Sequence, residues 1–208
     1  MTMPVADPLY PVSLVIAGRR CVVVGGGKVA ARKVAALVDS GALVSVVAPD
    51  VCDEIKAMDV EVHERGYEHG DLASAWLAIA ATDEPDVNRS VHADGIAARV
   101  WVNSADDPEF CAFTLPAVAR CGPVTVAVST GGHSPALAGW IRDQVAGTLG
   151  PEVGALAEML SEERERIQES GRSTEGLDWR RALDSGMLDL IREGRTAQAR
   201  ERLEACLS

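Results

Sequence analysis

The stretch 21–33, "CVVVGGGKVAARK", constrains this chain most. An apolar run meets three consecutive glycines and passes at once into an alanine-rich segment. Cys21–Val24 does not alternate with polar residues, so it reads as a strand buried on both faces. Lys28–Ser40 reads as a helix, with Val29, Leu37 and several alanines toward a sheet and Gly41 as a natural C′ residue. Within this strand–turn–helix, Gly25, Gly27 and Ala30 satisfy G-x-G-x-x-A. The first glycine permits the tight turn. The second lets the backbone approach a pyrophosphate, and the small third residue lets helix and strand pack closely. The N-terminus of a helix starting at Lys28 and Val29 would offer its N–H groups and positive dipole end to the phosphates.

The alternation continues downstream. "VSLVIAG" before the Gly18 turn reads as a further strand. "ALVSVVAP" is another, stopped by Pro49, and a short helix follows with Asp50 as a candidate N-cap. "VEVHERG", "AWLAIAAT" and "VWVN" read as strands, and "EPDVNRSVHADGIAAR" has helical spacing at Val87, Val91 and Ile96. Residues 12–103 thus run β-β-α-β-α-β-β-α-β. That predicts an α/β fold, a Rossmann-type doubly wound parallel sheet with its ligand crevice at the carboxyl ends of the strands. An acidic residue for the cofactor ribose belongs about 20 residues beyond the glycines. Asp50 lies there behind Pro49, and ribose ligand and helix cap both stay open as its role. No arginine follows Val47 closely, which favours NAD over NADP. Thr82 and Asp83 end a buried strand and are expected on the nicotinamide side of the crevice; a plain strand-terminating turn is the alternative.

With 208 residues, 47% of them apolar, the chain can bury a real core; at 4% aromatics, Val, Ala and Leu must fill it. A formal net charge of −11 argues against a nucleic-acid partner. No apolar run approaches the roughly 20 residues needed to cross a bilayer, so no membrane association is expected. "MTMPVADPLYP" has no basic n-region and three prolines, unlike a secretory signal. The five cysteines (21, 52, 111, 121, 206) are scattered, with no CxxC pair. Neither a zinc site nor a disulfide framework is indicated, and a reducing cytoplasm is the simplest setting. After about 104 the pattern changes. "FCAFTLPAVA" and "PVTVAVST" flank the turn "RCGP"; Ser134 and Pro135 then open a helix, and from 151 the chain is helical and charged with a break at "ESGRSTEGLD".

Four segments, "VVVGGGKVAARK", "WLAIAATDEPDVN", "VNSADDPEFCAFTLPAV" and "VTVAVSTGGHSPALA", occur in this order and spacing. Together they resemble the precorrin-2 dehydrogenase / sirohydrochlorin ferrochelatase family, the NAD-dependent module of siroheme synthase. The resemblance covers about residues 8–150. It implies oxidation of precorrin-2 to sirohydrochlorin by NAD⁺ in siroheme biosynthesis, with Fe2+ entering the same pocket in some members. It also implies a homodimer, built from a Rossmann domain (1–115), a dimerisation segment (116–150) and a small helical C-terminal domain (151–208). Ending at Ser208, the chain is expected to be the stand-alone form, without a fused methyltransferase.

The family's key aspartate falls on Asp106 in "VNSADDP", where a carboxylate can take up the proton released as the macrocycle is oxidised. Asp107 is its close competitor, and "DDP" also reads as a polar turn before proline. Ser129, Thr130, Gly131 and Gly132 form a small loop before a capped helix. Its N–H groups are candidates for substrate carboxylates; an ordinary strand–turn–helix junction is the alternative. His133 stands where the family often has a small or polar residue, as proton shuttle, metal contact or exposed loop residue. Arg120 and Arg142 are candidates for the remaining substrate carboxylates, and His63, His69 and His92 are expected at the surface. Chelation on this scaffold needs no separate metal motif. The competing reading is a non-enzymatic NAD(H)-sensing Rossmann module. That class carries an acidic residue directly at the end of the second Rossmann strand, where this chain has "VVAP".

Overall fold

The computed structural model describes residues 9–105 and 107–208. They form two compact units: one runs to Leu115 and includes Gly131–His133, the other comprises Pro116–Thr130 and Ser134–Ser208.

The first unit holds five parallel strands, β1 (Arg20–Val24), β2 (Leu43–Ala48), β3 (Glu61–Glu64), β4 (Leu77–Ala80) and β5 (Trp101–Ser104). Their spatial order is 3-2-1-4-5. Helix α1 (Lys28–Asp39) joins β1 to β2, α2 (Asp53–Lys56) precedes β3, and α3 (Pro85–Ala98) joins β4 to β5. The uninterrupted apolar runs are explained by burial on both faces. Cys21, Val23, Leu77 and Ile79 pack with Ala30, Val34 and Leu37 of α1. Val22, Val24, Ala78 and Ala80 turn the other way and pack with Val91 of α3. The β3–β4 connection contains no helix. It is braced by Arg65, whose guanidinium donates twice to Asp71 (2.6 and 2.8 Å), and by Arg20, which donates to Ala73 O (2.7 Å).

Three expectations need correction. Residues 12–16 form no strand, because β1 already pairs with β2 on one side and β4 on the other and offers no free edge. Of this segment only Ile16 reaches the core. Asp50 does not cap α2. Cys52 N–H donates to Gly26 O (2.9 Å), holding this stretch extended against the glycine turn, and the helix starts only at Asp53. Val29 and Ile96 point outward, and Val34 and Val91 take the buried positions.

In the second unit β6 (Ala117–Cys121) and β7 (Val124–Val128) form an antiparallel hairpin. Helix α4 (Pro135–Ala146) follows, with Ser134 Oγ accepting from Leu137 N–H (3.2 Å) as the cap. Then come α5 (Pro151–Glu169), α6 (Trp179–Leu183), α7 (Met187–Arg192) and α8 (Thr196–Leu207). Leu156, Met159, Ile167, Met187, Leu190, Leu203 and Leu207 make their common core. Glu163 is buried beside them and accepts two bonds from Arg166 (2.9 and 2.8 Å), which satisfies its charge. The hairpin turn sits on the first turn of α5. A Cβ on Gly122 would lie 3.2 Å from Gly154 Cα, and Cys121 Sγ donates to Gly150 O (3.1 Å).

Candidate functional site

The three glycines at the carboxyl end of β1 have three different physical reasons. Gly25 has φ +126°, and a Cβ there would lie 2.3 Å from Ala81 O. Only glycine combines that conformation with that contact. At Gly26 a Cβ would lie 1.9 Å from Asp50 O, so the turn fits between the ends of β4 and β2 only without side chains. At Gly27 nothing stands within 4 Å. Its open side is where a ligand can come up to the backbone. Gly27 is also the N-cap residue of α1 with no side-chain cap, and the first helical turn carries no acidic residue. The helix start is therefore left for an anion. Lys28 and Val29 are exposed there, and Ala30 is fully buried against the sheet, as close packing requires. Pro49 and Asp50 are exposed just past β2.

At the end of β4, Ala81 N–H donates to Val24 O (2.8 Å), so Thr82 begins beside the glycine turn. Thr82 Oγ1 donates to Asn88 Oδ1 (2.8 Å), Asn88 Nδ2 donates back to Thr82 O (3.0 Å), and Glu84 N–H donates to Thr82 Oγ1 (3.2 Å). Thr82 thus closes the β4–α3 turn while sitting on the crevice edge. Asp83 next to it is exposed.

At the end of β5, Ala105 N–H donates to Ala80 O (2.8 Å). Asn103 Nδ2 donates to Phe113 O (2.8 Å). Cys111 Sγ accepts from Ser104 N–H (3.3 Å) and donates to Ser104 O (3.2 Å). Burial pushes the Cys111 thiol up, which keeps its S–H as a donor at neutral pH. The carbonyl of Asp107 accepts from Phe110 N–H (3.1 Å). These bonds tie the foot of the acidic turn to the sheet; Asp106 itself lies outside the described residues. Ser104 Oγ is buried and has no hydrogen-bond partner among the described residues.

Gly25, Gly27, Lys28, Val29, Pro49, Asp50, Thr82 and Asp83 therefore share one edge of one sheet. Ser129 and Thr130 belong to the second unit, Gly131–His133 to the first. Thr130 Oγ1 accepts from Ser134 N–H (3.1 Å) and donates to Ser134 O (3.0 Å), closing that loop. Gly131 and Gly132 have positive φ, and His133 is exposed. Arg120 is exposed on β6, and Arg142 pairs with Asp143 (2.7 Å). His69 is exposed beside Asp94, but His63 and His92 are half-buried. His92 departs from its expected surface place because its ring packs on Phe110, with centroids 5.2 Å apart. Among the described residues no cluster of three or more His, Cys, Asp or Glu could hold a metal. The sequence reading missed Gly26, Asn88, Ser104 and Cys111. Only Gly26 left a trace there, as the middle of three glycines.

The crevice fits a dinucleotide: a tight turn, an uncapped helix start, open space at Gly27 and an acidic residue past β2. Comparison with known proteins agrees. Residues 12–117 match a family described as "Putative NAD(P)-binding", and residues 122–148 match "Sirohaem biosynthesis protein central". A siroheme synthase of Thioalkalivibrio sulfidiphilus is 39% identical over 95% of this chain and 42% of its own length. One of Nitrosococcus oceani is 36% identical over 95% and 43%. The chain therefore spans less than half the length of these curated relatives. Among solved structures, "SirC, precorrin-2 dehydrogenase" superposes with a TM-score of 0.69 at 25% identity, covering 95% of this chain and 98% of that one.

Proposed function

This chain belongs to the NAD(P)-binding family whose match spans half of it, with a separate match to the central segment of sirohaem biosynthesis proteins after it, and on that premise we propose that it oxidises precorrin-2 to sirohydrochlorin with NAD⁺. The observation that carries this reading is the glycine crevice, where Gly27 is open and the α1 N-terminus is uncapped. It supports a bound pyrophosphate, and it sits in the segment matched to the NAD(P)-binding family. NAD⁺, when bound, takes the hydride that leaves the macrocycle, so precorrin-2 and NAD⁺ give sirohydrochlorin, NADH and a proton. We assign that proton to Asp106, with Asp107 as its alternative. Gly25, Gly27, Lys28 and Val29 are assigned to the pyrophosphate, Pro49 and Asp50 to the adenosine ribose, and Thr82 and Asp83 to the nicotinamide side. Ser129, Thr130, Gly131 and His133 are assigned to the substrate carboxylates.

Residues 116–150 are proposed as a dimerisation segment. No residue of the hairpin is fully buried, and α4 presents Leu137 and Trp140 to solvent. None of the five cysteines is in a disulfide, which fits a cytoplasmic setting.

The test supplies precorrin-2 and NAD⁺ without oxygen and follows NADH and sirohydrochlorin by absorbance. Absence of NADH production overturns the proposal. Asp106→Asn is expected to lower kcat by about 10²–10⁴-fold. Ferrous iron added after the first step tests whether the protein also makes siroheme.

A further inference from the structure

Ser104 is the last residue of β5 and pairs in register with Ala80 at the end of β4. It is 3% exposed, and among the described residues its Oγ, a buried hydroxyl, has no partner. Such a group is costly relative to one that is satisfied, and few survive in a folded chain without a reason. Its place in the sheet supplies one. If the pyrophosphate lies at Gly27 and the adenosine ribose at Asp50 beyond β2, the other end of an extended dinucleotide runs the opposite way across the sheet edge, over β4 and β5. That end carries a carboxamide, which both accepts and donates hydrogen bonds. A hydroxyl also does both.

We propose that Ser104 is a cofactor-binding residue whose stranded hydroxyl is completed by the nicotinamide carboxamide. The inference rests on the NAD reading above. Contact requires a small shift of the side chains that close over Oγ, of the kind common on binding. Ala80 O and the Ser104 backbone are already committed, to Ala105 and to Cys111, so the side-chain oxygen is what remains for a ligand.

The experiment compares wild type and Ser104→Ala by thermal melting and calorimetric titration with NAD⁺ and with ADP-ribose, which lacks the nicotinamide. Wild type is expected to bind NAD⁺ more tightly than ADP-ribose. In Ser104→Ala that advantage should fall about fivefold to tenfold, with ADP-ribose binding unchanged. The unliganded variant should melt at the wild-type temperature or above it, because an unsatisfied group has been removed. Two results overturn the inference: an NAD⁺ advantage that survives in the variant, or a lower unliganded melting temperature, which marks a structural hydroxyl. Binding of neither ligand to wild type would instead overturn the dinucleotide reading itself.

Discussion

At the scale of single residues, the glycine turn separates folding from binding. Gly26→Ala forces a methyl into the Asp50 carbonyl, so it should destabilise the chain by several kcal/mol or prevent folding. Gly27→Ala meets nothing within 4 Å and should fold at close to the wild-type melting temperature, yet lose NAD⁺ affinity. Melting curves and an NAD⁺ titration on the two variants check both outcomes. The motif G-x-G-x-x-A was legible in the sequence because turn, approach and packing each demand a small residue at a fixed spacing. The demand on Gly26 was not legible, because it comes from Asp50, which only the sheet order brings alongside. Asn88 was hidden for the same reason: its bond to Thr82 depends on how the chain turns from β4 into α3. Asp106 entered through family resemblance, since a "DDP" alone is also an ordinary turn.

At the scale of elements, the apolar runs gave away the four buried strands β1, β2, β4 and β5, but not which run would fail. Residues 12–16 look as strand-like as β1. Their neighbour in sequence, β1, is flanked on both sides by β2 and β4 and cannot pair with them, and strand order is not written in local spacing. The β3–β4 connection is a similar case, since it holds its place with side chains rather than a helix. The Arg65 guanidinium beside Asp71 holds the Asp71 carboxyl below its ordinary range. A carboxyl depressed by folding stabilises above its unfolded pKa of about 3.9, and that contribution fades as pH falls through the folded value. Asp71→Asn should therefore cost about 1–2 kcal/mol at neutral pH. Its deficit against wild type should shrink as the melts are taken below about pH 4. The α4 cap is a second handle: Ser134→Ala should cost about 0.5–2 kcal/mol in denaturant unfolding.

At the scale of the whole molecule, the two core clusters on the sheet and the third among α5–α8 leave the hairpin and α4 thinly covered. A two-stranded ribbon is marginal on its own. Trp140 is 60% exposed on α4, so replacing it costs the folded monomer little. If the segment joins two copies, Trp140→Glu should halve the mass seen by light scattering while leaving the melting of the monomer nearly unchanged. A wild type that already runs as a monomer would end the dimer proposal. The α5–α8 core has a different kind of consequence, for how this protein comes apart under a protease. The chain between Glu169 and Trp179 is largely exposed and contains Arg172, whereas the strands and long helices around it are protected. Trypsin should nick first at Arg172. The two pieces should then stay together through a gel-filtration column and separate only in denaturant, because Met159 and Ile167 on one side of the cut are packed with Met187 and Leu203 on the other.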